Sequence, residues 1–166
     1  VVLSDNRATE AGFETEHGLS VYLETERYKC LLDVGASDLF ARNGRRLNID
    51  LSDVDYLFVS HGHSDHMGGL PVFLEINKKA KIVLSSQIFN REFYSSRNSL
   101  RKLSFDFEFS TVRERLIAVD EKALFEEEIV VLKPEIRKHP LPKANRTLFK
   151  SIGDELINDD FDHELI

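Results

Sequence analysis

Tryptophan is absent from this 166-residue sequence, and cysteine and methionine occur once each. A lone cysteine, Cys30, excludes an intrachain disulfide and makes a reducing compartment, the cytoplasm, the default setting. Cys30 lies inside an apolar run and reads as an inert packing residue. No apolar stretch approaches the roughly 18 residues of a membrane span, so no membrane partner is expected. The amino end, Val1 to Asn6, has neither a basic flank nor an apolar segment and does not read as a signal peptide. Its missing initiator methionine reads as trimming or processing. Positive charge is also short: 22 Lys and Arg stand against 29 Asp and Glu, a net charge of −7. That balance argues against a broad nucleic-acid footprint. Two basic groups remain, Arg91, Arg97, Arg101 and Lys102, and Lys133, Arg137, Lys138 and Lys143. Either could receive a substrate phosphate or carboxylate, although a solvated face is the default. The apolar fraction of 42% and charged fraction of 31% describe an ordinary globular chain, long enough for one domain, residues 1–166, with a sizeable core.

Histidine, by contrast, is concentrated. Three of the six histidines fall in Ser60-His61-Gly62-His63-Ser64-Asp65-His66-Met67-Gly68-Gly69, with an aspartate beside the last. Imidazole and carboxylate are the ligands that suit zinc and its first-row neighbours. Tyr56-Leu57-Phe58-Val59 reads as a short buried strand, and Leu70, Phe73, Leu74 and Ile76 recur at helical spacing. The ligand-type residues therefore sit on a strand-to-helix loop, where a rigid scaffold presents side chains to open space. The spacing is not that of H-E-x-x-H, in which two histidines share a helix face. An extended loop can direct His61 and His63 to one ion, while Asp65 and His66, at the start of the helix, address a second. Gly62 frees the loop backbone, and Gly68-Gly69 permits close approach of neighbouring chain.

Along the chain, Val1–Leu3 can open a strand, Leu19–Leu23 alternates as a half-buried strand, and Tyr28–Leu32 completes a hairpin. Ser37 can cap a helix through Leu39 and Phe40 that weakens at Asn43-Gly44 or Asn48. The central strand, a Leu70–Lys79 helix and an Ile82–Leu84 strand make a βαβ crossover. Beyond Ser85, Gln87–Tyr94 reads as a short helix. Phe105, Phe107 and Phe109 alternate with polar residues as a strand burying one face, with packing favoured over substrate stacking. Ile129–Leu132 and Leu148–Lys150 read as strands, and His139-Pro140-Leu141-Pro142 as extended chain.

Ser-His-Gly-His-Ser-Asp-His resembles the H-x-H-x-D-H signature of the metallo-β-lactamase superfamily. Cys30-Leu31-Leu32-Asp33-Val34-Gly35 is similar to that superfamily's earlier strand, with Val34 where threonine is usual. Glu16-His17-Gly18-Leu19-Ser20 and the stretch from Asn48 through Gly69 resemble the branch that includes the dihydropterin ribofuranosylaminobenzene-phosphate synthases. The likeness covers the amino-terminal half well and the remainder loosely. It implies an αββα α/β fold, here its first half plus part of the second, and two divalent ions, zinc first, with iron or manganese as alternatives. It implies His61, His63, Asp65 and His66 as metal ligands. Asp65 would also position the attacking hydroxide, and Asp33 would orient a ligand histidine.

A two-metal site of this kind takes further ligands from later in the chain. Outside the loop only His17, His139 and His163 remain. His163, among Asp159, Asp160 and Asp162, is the most ligand-like by company, with Asp160 as a companion guess. His17 stands in a turn and His139 precedes a proline, so both read as surface or structural residues. The chain therefore reads as a fragment of a longer protein, poorly metallated or completed by a second copy as a homo-oligomer. The expected activity is metal-dependent hydrolysis of a small-molecule ester, lactone or phosphorylated substrate, in which the ions acidify a bound water and polarise the substrate. The alternatives are a nuclease of the same superfamily, a non-catalytic metal-binding scaffold, and a diiron oxidoreductase, which the three-histidine loop does not favour.

Overall fold

The computed structural model describes residues 1–89, 91–125, 128–134 and 140–166. His139, Arg137 and Lys138 lie outside the described residues.

Strands β1 (Val2–Ser4), β2 (Ser20–Glu24) and β3 (Lys29–Leu32) pair antiparallel. Helix α1 (Leu39–Arg46) then leads to β4 (Tyr56–Phe58), which lies parallel to β3. After β4 come α2 (Ser64–Met67), α3 (Leu70–Ile76) and β5 (Lys81–Ser85), parallel to β4, as the βαβ reading requires. The chain continues through β6 (Phe93–Ser95), β7 (Arg101–Lys102) and β8 (Leu116–Val119), which closes the first sheet beside β5. A hairpin of β9 (Lys122–Phe125) and β10 (Ile129–Leu132) precedes β11 (Leu148–Ile152) and β12 (Glu155–Asn158). The six-stranded sheet has the order β1-β2-β3-β4-β5-β8, and a second sheet runs β12-β11-β6-β7.

Side-chain alternation gives the first sheet two apolar faces. Leu57, Val59, Ile82 and Leu84 join Phe40 of α1 and Leu70 and Phe73 of α3 in the main core. Their neighbours Tyr56, Phe58, Val83 and Ile117 face the other way, against Phe125, Val131 and Leu165. The β9–β10 hairpin thus covers the sheet face that α1 and α3 leave open. Cys30 is buried, and burial pushes its thiol up to about 11, which keeps it an unreactive packing residue.

Several local expectations are corrected. Helix α1 runs through Asn43-Gly44, whose Asn43 amide donates out of the helix to Leu3 O at 2.8 Å, and ends at Arg46, so of the two stopping points offered the one before Asn48 holds. Gln87–Tyr94 is not a helix: a 3₁₀ turn over Ser86–Ile88 gives way to β6. Phe105, Phe107 and Phe109 form no strand; all three pack on the main core, and Glu108 caps a 3₁₀ turn that begins at Phe109. The period-two pattern reported their burial, not backbone pairing.

Helix α3 stops at Ile76 rather than Lys79 because Asn77 turns extended. Its buried amide donates towards the carbonyls of Leu51 (3.0 Å), Ser52 (3.1 Å) and Val54 (2.8 Å), and its Oδ1 accepts from Lys79 N (2.9 Å) and Ala80 N (2.7 Å). One side chain satisfies the backbone on both sides of the crossover. Asn77→Leu is expected to strand these groups and cost about 3 kcal/mol or more, read as a lower urea midpoint; an unchanged midpoint would show that the backbone finds other partners.

Candidate metal centre

The carboxylate of Asp33 is the fixed point of the site. Asp33 ends β3 fully buried, in a left-handed conformation (φ 56°) that few non-glycine residues adopt. It accepts from Ser60 N, Ser60 Oγ and His66 Nδ1, each at 2.7 Å. Ser60 Oγ also lies 2.9 Å from His61 Nδ1. The rings of His61 and His66 come together with centroids 4.0 Å apart, and His61 and His63 with centroids 4.6 Å apart. Asp65, at the start of α2, has Oδ2 3.7 Å from His66 Nε2 and 3.4 Å from His17 Nε2.

A second group reaches the loop from the far end of the described chain. His163 is fully buried and its Nδ1 accepts the backbone N–H of Gly62 at 3.1 Å. That leaves the ring proton on Nε2, which faces both oxygens of the buried Asp159 at 3.2 Å. Asp159 Oδ2 lies 3.2 Å from His63 Nε2 as well. His63, Asp159 and His163 thereby converge, with ligand atoms within 4.8 Å of one another. Asp159 was missed by sequence reasoning, which singled out Asp160 instead. Asp160 points away, to Lys150 Nζ at 2.6 Å.

The turn carrying Asp159 and His163 is held from behind. Lys150 on β11 is only 2% exposed, and its ammonium pairs with Asp160 (2.6 Å) and Asp162 (2.8 Å). Burial pulls the Lys150 pKa down, but the two carboxylates more than offset this and keep it charged. Arg91 grips both oxygens of Asp162 at 2.7 Å and donates to Gln87 at 2.6 Å. Two of the basic residues that could have taken a substrate anion are thus engaged: Arg91 here, and Lys102 with Glu92 and Asp106. Phe161 adopts left-handed backbone (φ 57°), and its ring lies 5.4–5.5 Å from those of His61, His63 and His163. Strain of this kind persists only where surrounding contacts impose it. Phe93 closes the other side, 4.1 Å from the His163 ring and 5.3 Å from that of His63. Beyond Phe93 lies an open cavity of about 540 Å³, floored by Gly62 and walled by Phe89, Phe105, Phe107 and Phe109.

A model of the metallo-β-lactamase superfamily matches residues 14–151. The chain belongs to the metallo-β-lactamase superfamily. A solved member, Tm1679, described as a metal-dependent hydrolase of the β-lactamase superfamily, is 28% identical and superposes with a TM-score of 0.76 over 99% of this chain and 58% of its own. The 7,8-dihydropterin-6-methyl-4-(β-D-ribofuranosyl)-aminobenzene-5′-phosphate synthase of Methanocaldococcus jannaschii is 34% identical over 87 residues, which is 49% of this chain and 30% of that protein. Ribonuclease Z of Nanoarchaeum equitans is 35% identical over 74 residues, 45% of this chain and 21% of that protein. The chain thus spans well under two thirds of these relatives.

The superfamily's α/β fold and its general chemistry, hydrolysis dependent on divalent metals that are commonly zinc, fit the donors present. Two imidazoles and a carboxylate converge out of water at His63, Asp159 and His163, residue types that borderline divalent ions take, with His163 held between Gly62 N–H and Asp159. Among the described residues no helix is long and apolar enough to cross a membrane.

The same burial makes the metal-free site sensitive to acid. Burial, then repulsion from His66, His63 and His163, holds His61 well below the ordinary histidine value of 6.5; burial also lowers His163, against the pull of Asp159. Both groups bind protons more readily unfolded, so stability falls as pH drops through 6.5. His66 opposes this: burial lowers it, but Asp33 raises it further, so its contribution is full below 6.5 and fades as pH rises through its folded value. Asp159 is raised by burial yet driven far below 3.8 by hydrogen bonds from His163 and His63, so its contribution stands above 3.8 and is lost in stronger acid. With two histidines against one, the urea midpoint of metal-free protein is expected to fall between neutral and mildly acidic pH, then again in strong acid. A midpoint that rises over the first interval would contradict this balance.

Proposed function

We propose that this protein is a metal-dependent hydrolase acting on a small-molecule ester, lactone or phosphorylated substrate in the cytoplasm. The observation that carries the reading is the buried convergence of His63, Asp159 and His163 beside His61, Asp65 and His66. His61, His63 and Asp159 would hold one ion, with His163 steadying Asp159 through its Nε2–H, and Asp65 and His66 would hold a second, with zinc first and iron or manganese as alternatives. Bound ions of this type supply Lewis acidity, bringing a coordinated water's pKa towards neutrality and polarising the substrate oxygen.

The chain's own residues prepare that chemistry. Asp33 takes the Nδ1 proton of His66 and leaves its Nε2 bare as a donor. Gly62 N–H fixes the ring of His163 so that Nε2 points at Asp159. Phe161 and Phe93 exclude water from two sides of the imidazoles, which strengthens electrostatic interactions there. Asp65, at the solvent side, would hold the attacking water in line or accept its proton. A phosphorylated substrate is supported by the likeness to the Methanocaldococcus phosphate synthase. The likeness to ribonuclease Z favours a nuclease as the second reading, against which stand the net charge of −7 and the engagement of Arg91 and Lys102.

Purified protein, with zinc or manganese and after chelation, should be assayed on a phosphodiester, a lactone and a β-lactam. Metal-dependent turnover of at least one is expected. His61→Ala should abolish both tight metal uptake and turnover. Asp65→Asn should lower kcat by about 100-fold or more. Tight metal uptake with no turnover of any substrate would favour the non-catalytic scaffold.

A further inference from the structure

Among the described residues, one histidine remains outside the constellation above. His17 has a side chain 74% exposed, so packing does not hold it. Its backbone, however, is pinned on both sides. Glu16 accepts from Ser4 Oγ (2.9 Å), Ala36 N (3.0 Å) and Ser37 Oγ (2.6 Å). Gly18 packs so tightly that a Cβ there would meet Asp65 O at 2.6 Å and Ala36 N at 2.9 Å. Leu19 N donates to Asp65 O at 3.3 Å, and Leu19 O accepts from Gly35 N at 2.9 Å. Residues 16, 18 and 19 are therefore fixed to the chain around Asp65 and Gly35–Ser37, and His17 is carried over the Asp65 carboxylate. Polar contacts then set the ring: Nδ1 lies 3.0 Å from the end of the Asn6 amide, and Nε2 lies 3.4 Å from Asp65 Oδ2; with the Asn6 amide turned to donate to Nδ1, the ring proton sits on Nε2, facing the carboxylate.

We propose that His17 is a positioning residue for Asp65, bracing the carboxylate from the solvent side so that it stays turned towards His66. The inference rests on the metal-hydrolase reading and extends it to a residue outside the loop. Asp65 Oδ2 sits between two imidazoles, His17 Nε2 at 3.4 Å and His66 Nε2 at 3.7 Å. Asp33 immobilises the His66 ring, whereas the Asp65 side chain is 24% exposed and has rotamers that point to water. An imidazole anchored to Asn6 on the far side removes those alternatives. Carboxylates that ligate metals are themselves held by hydrogen-bonding partners, and loss of such a partner weakens affinity or activity by about 10–100-fold. The pinned backbone supplies the rigidity that an exposed side chain cannot supply alone.

Zinc and cobalt(II) titrations of metal-free wild type, His17→Leu, His17→Gln, Asp65→Ala and the His17→Leu/Asp65→Ala double variant test this. Leucine keeps the bulk of His17 without its polar atoms, and glutamine retains an amide that can reach Asp65. His17→Leu should weaken the metal equivalent that Asp65→Ala removes by about tenfold or more and alter its cobalt absorption band. The other equivalent and the urea midpoint should stay unchanged. His17→Gln should recover most of the affinity, and His17→Leu should add nothing in the Asp65→Ala background. Unchanged affinity in His17→Leu, or the same loss whether or not Asp65 is present, would overturn the proposal and leave the hydrolase reading standing. A wild type that takes up no metal would overturn both.

Discussion

Two of the three imidazoles of the loop, His61 and His66, are oriented, directly or at one remove, by the buried carboxylate of Asp33. A serine hydroxyl has one proton, and Ser60 Oγ lies 2.7 Å from an Asp33 oxygen that can only accept, so the proton goes there. Ser60 Oγ then accepts from the Nδ1–H of His61 at 2.9 Å. His66 gives its own Nδ1 proton to the same Asp33 oxygen. The result is a converging set of hydrogen bonds that leaves Nε2 of both His61 and His66 bare. Tautomer choice, which decides whether a histidine can donate a lone pair to a cation, is settled by one aspartate at a strand end. The left-handed backbone of Asp33 is the strain that accompanies this placement.

The close approach of α2–α3 to β3 follows from the same constraint. Asp33 can bond His66 only if the helix start lies directly over the strand's end. Val34 N donates to His66 O at 2.9 Å, and a Cβ on Gly69 would meet Val34 O at 2.2 Å. Only glycine fits between. The glycines after the histidines therefore serve to let the helix sit low enough for the imidazole to reach its carboxylate.

Legibility in the sequence followed contact distance along the chain. The loop ligand types lie within six residues, and the strand, loop and helix that carry them show local periodicity, so they could be read directly. Asp33 was reached through the family resemblance of the strand that it follows. Asp159 and His163 meet His63 and Gly62 across 96 and 101 residues, and no local pattern encodes such a closure. What could be read was chemical company, an acidic run around one histidine. That located the turn but selected Asp160, because nothing in sequence tells which aspartate faces the buried Lys150 and which faces the imidazoles. The phenylalanines at 105, 107 and 109 failed for a related reason: alternation reports which side is dry, and a chain lying on a core is as dry as a strand.

The two groups of candidate ligands differ in their access to water, and that asymmetry bears on how a hydrolase of this design would operate. His63, Asp159 and His163 are nearly sealed by Phe93 and Phe161 and backed by the Lys150–Asp162–Arg91 lattice. Asp65 and His66 lie on the open side, 24% and 17% exposed. Charge interactions are far stronger in the sealed position than at the open one. Under the proposed function, an ion on the buried side would be retained and act as a structural anchor, closing the far turn onto the loop. An ion on the open side would exchange more readily and meet substrate and water first. Proton transfer belongs on that side too, where Asp65 stands, and it is there that an outer brace such as His17 has an effect which packing already supplies to the buried ligands.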